Sequence, residues 1–205
     1  MLTNQKITDF LEKTAAGTAV PGGGSVSALS AALGAGLAEM VANLTIAKKG
    51  YEAVESEMRE MAEKLQNLRE KLVTEVDKDS NAYQGVLAAF KLPQNTEAEK
   101  EQRAAAIQEA MKNAARVPLG VACDALQVME LAEKAIRNGN RNAVSDGAVG
   151  TMMARTAALG ALFNVKINLA SVKDEAFVED MMREVNKLES RVHEREKEIL
   201  SYVKI

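Results

Sequence analysis

The chain has no tryptophan, one cysteine, one histidine and three prolines among its 205 residues, and aromatics make up only 3%. One cysteine excludes an internal disulfide, and one cysteine with one histidine cannot assemble a Cys/His zinc site, so no metal site is expected. Cys123 also lies within an apolar helical pattern, which leaves no Cys/His nucleophilic pair. An excess of positive charge is missing too. The net charge of −3 and an isoelectric point near 5.5 argue against a nucleic-acid-binding surface. No cationic segment followed by an apolar one opens the chain, so a cytoplasmic protein is expected. The nearest approach to a membrane span, Val26 to Ala38, is cut by Glu39 and is short against the roughly 20 apolar residues a bilayer requires. No membrane partner is expected.

What is present is ordinary for one globular domain over residues 1–205: 47% hydrophobic and 27% charged residues. With so few rings, the core must come from Ala, Leu, Val and the ten Met. The apolar pattern is helical almost throughout. A first helix runs from Ile7 to Ala16, with Phe10 and Leu11 inward and Gly17 as its stop. A second, from Val26 to about Lys48 and ended by Gly50, is small or apolar around nearly its whole circumference. Such a helix belongs at the centre of a domain or in an oligomer interface. A third spans about 53–90, where Met58, Met61, Leu65, Leu68, Leu72 and Val76 step by three or four along one stripe. Thr96 with Glu99 reads as a capping box for a fourth helix, in which Pro118 predicts a break or kink. Helices over about 148–168 and 174–203 complete the chain. The fold class is therefore all-α: a single-domain bundle of about six to eight helices around an Ala/Gly-rich central one.

Four features depart from plain packing. Pro21-Gly22-Gly23-Gly24-Ser25 opens the central helix, where Ser25 is a candidate N-cap and main-chain N–H groups are free for an anion or a carbonyl oxygen. It is neither a Walker A loop nor a dinucleotide fingerprint, and a tight turn beneath a core helix is the plain alternative. Asp79 continues the buried stripe of the third helix, so its carboxylate must be paired, hydrogen-bonded or facing a cavity. Asn138 to Asp146 crowds three amides, a guanidinium, a hydroxyl and a carboxylate between two helices. Capping by Ser145 or Asp146 accounts for part of it. Asn164 and Asn168 share one face of the helix that follows, placed to meet a neighbouring helix or a polar ligand.

Taken together, Pro21 to Ser25, Asp79, Asn140-x-Asn142-x-x-Ser145-Asp146 and Asn164-Val165-x-Ile167-Asn168 resemble the cyclodeaminase domain of the formiminotransferase-cyclodeaminase family. The resemblance extends over nearly the whole chain, including Lys48-Lys49, the segment from Ala89 to Pro93 and Val117-Pro118-Leu119. No formiminotransferase half accompanies it, as in the stand-alone bacterial form.

This resemblance implies a one-carbon folate enzyme acting at the 5,10-methenyl bridge of tetrahydrofolate. The expected reaction is formimidoyltetrahydrofolate cyclodeamination, which closes the bridge and releases ammonia. The alternative is 5,10-methenyltetrahydrofolate cyclohydrolysis to 10-formyltetrahydrofolate. Either needs a proton acceptor for the attacking group and a donor for the leaving nitrogen, with no metal or redox cofactor. Asp146 is the leading acid/base candidate and Asp79 the second, expected to face the same cavity. Gly22, Gly23, Gly24 and Ser25, with Asn140, Asn142, Ser145, Asn164 and Asn168, are candidate substrate contacts. Lys48, Lys49 and Arg141 are the candidates for the glutamate carboxylates of folate, polyglutamylated forms included. A non-catalytic helical interaction protein is the reading from another class. The central helix has no polar face, so a homodimer with small-residue helices at its interface is expected.

Overall fold

The computed structural model describes residues 1–204. Six α-helices form the bundle: α1 (Ile7–Ala15), α2 (Gly23–Asn43), α3 (Glu55–Phe90), α4 (Glu97–Asn138), α5 (Val144–Leu169) and α6 (Glu175–Ser201). Short 3-10 turns occupy Leu2–Asn4, Glu52–Val54 and Arg141–Ala143, and no strand occurs among the described residues. The all-α expectation holds, at the lower end of the expected helix count.

The small residues of α2 explain its central place among α3, α4 and α5. It runs antiparallel to α5 at very short range. A Cβ on Gly34 would stand 2.7 Å from the Gly150 carbonyl oxygen, and a Cβ on Gly150 would stand 3.0 Å from that of Gly34. Nearby, Ser30 Oγ donates to the Met153 carbonyl at 3.1 Å. Along α3 all six stripe residues from Met58 to Val76 are buried, as their spacing requires. The Thr96–Glu99 capping box starts α4, with both reciprocal hydrogen bonds formed.

Several expected boundaries move. Phe10 is buried, but Leu11 is 60% exposed, because the single buried face of α1 is too narrow to include both. α2 ends at Asn43 rather than Lys48: the Thr45 hydroxyl donates back to the Val41 carbonyl, and the chain turns away through Ala47 and Gly50, both at positive φ. At 21 residues α2 is longer than the Val26–Ala38 run, and its mean hydropathy of 1.4 would suit a membrane span. Within the bundle, however, 61% of that apolar window is buried, as in a core helix. Pro118 does not break α4, which is continuous through it. A proline lacks the N–H that would bond the carbonyl four residues back. That carbonyl, Ala114 O, instead accepts from Asn168 Nδ2 of α5 at 2.7 Å.

Candidate active site

The N-terminus of α2 is the chemically loaded end of the bundle. Its N-cap is Gly22, with no side-chain cap, so Ser25 is a helical residue and not the cap expected from the sequence. The capping oxygen arrives from another helix. Asp79 of α3 accepts the Ser25 hydroxyl at 2.8 Å and also the Ser25 backbone N–H. Ser25 Oγ lies 3.1 Å from the Val76 carbonyl as well, which ties the two helices together. Gly24 is essential to this approach: a Cβ there would fall 2.0 Å from Asp79 Oδ1. Asp79 is partly buried, and burial pushes its carboxyl above the ordinary value, against the lowering pull of the two Ser25 hydrogen bonds.

Around this carboxyl lies a cleft of about 270 Å³, walled by the ends of α2, α3, α4 and α5. Gly22, Gly23, Gly24 and Asp79 form one side, Tyr83 and Val86 extend it along α3, and Asn164, Ile167 and Asn168 face it from α5. Asn164 Nδ2 donates to the Gly160 carbonyl at 2.8 Å, one turn back in its own helix. Asn168 Nδ2 is taken by Ala114 O. Each amide therefore spends one N–H on structure, leaving its second N–H and its oxygen for a ligand. The site is a polar cleft with two side-chain amides and one carboxyl of raised pKa.

The structure divides the residues expected to act together. Asp79, Gly22, Gly23, Gly24, Asn164 and Asn168 line the cleft. Asp146 does not. It lies in the first turn of α5, about 27 Å by helical rise from Asn164, so within one chain it cannot share the Asp79 cavity. The expectation of one common cavity is corrected for a single chain by the straightness and length of α5.

At that far end Asn140 is 7% exposed and its amide is consumed locally. Nδ2 donates to the Leu44 carbonyl at 3.2 Å, Oδ1 accepts from Asn142 N at 3.1 Å, and its backbone N–H donates to Thr45 Oγ1. This corrects its reading as a substrate contact within one chain: Asn140 pins the loop to the end of α2. Neither Ser145 nor Asp146 caps α5, whose N-cap is Ala143 without a side-chain bond. Asn142, Arg141 and Ser145 are exposed there, and Lys48 and Lys49 follow the far end of α2. The pairing of Asn168 with Pro118 was missed in the sequence. Its only signal is a proline inside a helical pattern, which always frees a carbonyl for some donor.

These features define an all-α bundle with a carboxyl-centred cleft at the N-terminus of its core helix. A model of the formiminotransferase-cyclodeaminase family matches residues 6–187, and the chain belongs to that family. It is 40% identical over 188 residues to a methenyltetrahydrofolate cyclohydrolase from Methylorubrum extorquens, covering 92% of this chain and 90% of that protein. It is 35% identical over 187 residues to the mouse formimidoyltransferase-cyclodeaminase, covering 91% of this chain but only 35% of that longer protein. A solved structure of formiminotetrahydrofolate cyclodeaminase from Thermotoga maritima superposes with a TM-score of 0.88 at 31% identity, covering 99% of this chain and 98% of that one.

Proposed function

We propose that the protein acts at the 5,10-methenyl bridge of tetrahydrofolate and hydrolyses it to 10-formyltetrahydrofolate. The observation that carries this reading is Asp79, a carboxyl of raised pKa held on a helix N-terminus inside a cleft lined by the Asn164 and Asn168 amides. In this mechanism water adds to the bridge carbon and gives a proton to the ionised carboxylate. The tetrahedral adduct then opens: the bond from carbon to N5 breaks, N5 takes a proton from the now neutral carboxyl, and the hydroxyl loses its proton as the formyl C=O forms on N10. A carboxyl whose pKa burial raises above the ordinary value can take the proton in the first half of this exchange and return it in the second. Addition and elimination change no oxidation state, so the chemistry requires no redox cofactor.

The hydrolytic direction is favoured by the 40% identity to a cyclohydrolase of matching length. The expected cyclodeaminase activity is supported by the likeness to the Thermotoga protein over both whole chains. In that reaction N10 attacks the formimino carbon, and the same carboxyl passes the N10 proton to the departing ammonia. Incubating the protein with 5,10-methenyl- and 5-formimino-tetrahydrofolate in parallel, following methenyl absorbance and free ammonia, decides between them. Turnover of neither substrate would overturn the folate reading.

We further propose a cytoplasmic homodimer that meets neither membrane nor nucleic acid. α2 and its C-cap expose Val26, Leu33, Met40 and Leu44, and α5 exposes Val149, Met152, Phe163 and Ile167. Because the helices are antiparallel, the two apolar stripes turn to the same side of the pair. A second copy related by a two-fold axis in the interface plane and perpendicular to these helices would cover both stripes. That operation reverses the helices, and it carries the Asp146 loop of the second copy toward the Asp79 cleft of the first. The motif residues separated in one chain then meet as one site.

A further inference from the structure

Continuous with the Asp79 cleft is a second, larger groove of about 520 Å³ between the start of α4 and the α5–α6 connection. Met111 and Ser171 line both. Its floor is apolar, from Phe90, Ile107 and Met111, and its rim carries Arg103 and Lys173. Both rim cations lack a carboxylate partner among the described residues. Arg103 donates through Nε and Nη2 to the Phe90 carbonyl, at 3.2 and 3.0 Å, and stacks over the Phe90 ring at 5.7 Å. Its Nη1 is free. Lys173 is exposed, and no hydrogen bond engages its ammonium. The neighbouring cations are different: Lys112 is paired with Asp174 and Arg116 with Glu109. The segment bearing Lys173 is also fixed in place, since Gln108 Oε1 accepts its backbone N–H at 2.8 Å and Gln108 Nε2 donates to the Ser171 carbonyl at 3.3 Å.

We propose that this groove binds the glutamate tail of the folate substrate, with Arg103 and Lys173 as the carboxylate-binding and chain-length-selecting residues. The proposal rests on the folate reading above and assigns the tail to residues other than Lys48, Lys49 and Arg141. The spacing supports it. Asp79, Tyr83, Val86 and Phe90 step along one face of α3, and the rise from Asp79 to Phe90 is about 16 Å. From the bridge carbon, the aminobenzoyl ring and its amide reach roughly 10 Å to the first glutamate, by standard bond lengths. With the bridge carbon at Asp79, the ring lies along Tyr83 and Val86 and the first carboxylates reach the groove mouth. Further glutamates extend over an apolar floor between two free cations, where chain methylenes and carboxylates each find a complementary surface.

The test compares KM for monoglutamyl and triglutamyl 5,10-methenyltetrahydrofolate. Wild-type protein should show a KM roughly tenfold lower for the triglutamate, with the gap shrinking as salt is added. Arg103→Gln with Lys173→Gln should reduce the gap to about twofold or less. Lys173→Gln alone breaks no structural hydrogen bond, so it should narrow the gap even if the double variant folds poorly. The triple variant Lys48→Gln, Lys49→Gln, Arg141→Gln should keep the gap. Three results would overturn the groove assignment: no gap in wild type, a gap that survives Lys173→Gln and the double variant, or a gap lost in the triple variant. The last would give the tail to the Lys48 end of a second copy. Failure of wild type on both 5,10-methenyl- and 5-formimino-tetrahydrofolate would instead remove the folate reading itself.

Discussion

If Asp79 and Asp146 serve one reaction, two chains must supply them, and the arithmetic of mixing two inactive variants reads this directly. Asp79→Asn removes the carboxyl of the cleft, and Asp146→Asn removes the one about 27 Å away along α5. Each homodimer should lose about 100-fold or more in kcat, the usual worth of a positioned acid or base. In a heterodimer one site combines both substitutions, and the other combines an intact Asp79 cleft with an intact Asp146 loop. Random reassociation of equal amounts makes about half of the dimers mixed, so about a quarter of all sites are restored in the isologous arrangement. A heterodimer purified through two different tags should recover about half of wild-type activity. The assay is methenyl absorbance after subunit exchange, with dimer composition checked by native mass spectrometry. Verified heterodimers that stay as inactive as their parents would refute the shared site. Asp146→Asn homodimers with wild-type turnover would remove Asp146 from the chemistry.

Gly24→Ala should leave the bundle folded yet displace the Asp79 carboxyl, which a Cβ would meet at 2.0 Å; the expected loss in kcat matches that of Asp79→Asn, and near-normal kcat would show the carboxyl position to be immaterial. Gly34→Ala sets a Cβ against the Gly150 backbone at 2.7 Å and should cost about 1–3 kcal/mol, roughly 2–4 °C of melting temperature per kcal/mol. An unchanged melting temperature would show that α2 and α5 can separate freely. Because burial raises the folded pKa of Asp79, its native state holds a proton that the unfolded chain has already released. Stability of wild type relative to Asp79→Asn should therefore fall as pH rises from the ordinary carboxylate value through the raised one, measured by paired denaturant titrations; a rise across that window would reverse the assigned direction. Asn168→Ala should cost about 1–3 kcal/mol by orphaning the Ala114 carbonyl, and less in a Pro118→Ala background, where a backbone N–H replaces the lost donor. Strictly additive costs would show the Asn168 amide to be unconnected to Pro118.

Periodicity made most of the bundle legible. The α3 stripe lies where its spacing places it, because residues three and four apart must share a face whatever they pack against. The Thr96–Glu99 box was readable for the same reason, being closed within one turn of its own helix. Local rules failed where a distant residue completed the local chemistry. Ser25 looked like an N-cap because serine caps its own helix elsewhere, but Asp79, 54 residues away in the chain, takes the capping role. Pro118 looked like a break because its missing N–H leaves a carbonyl bare, but Asn168 supplies the donor from the facing helix.

The candidate site was legible as a set of residues and illegible as a place. A chain of straight helices puts the two ends of each helix far apart, so residues grouped by resemblance fall into two clusters joined by the length of α2 and α5. The cleft cluster is the one to which we assign the carboxyl chemistry. There a half-buried carboxyl accepts from Ser25 and caps the N-terminus of α2, beside the amides of Asn164 and Asn168. The loop cluster has the opposite character: Asn140 is wholly engaged in local bonds, whereas Asn142, Arg141 and Ser145 are exposed and their side chains make no hydrogen bond among the described residues. Outward-facing polar groups next to an exposed apolar stripe are what an interface needs at its rim. The separation of the clusters and the bare faces of α2 and α5 would both be answered by the proposed two-fold dimer, which would cover the stripes and return Asp146 to Asp79.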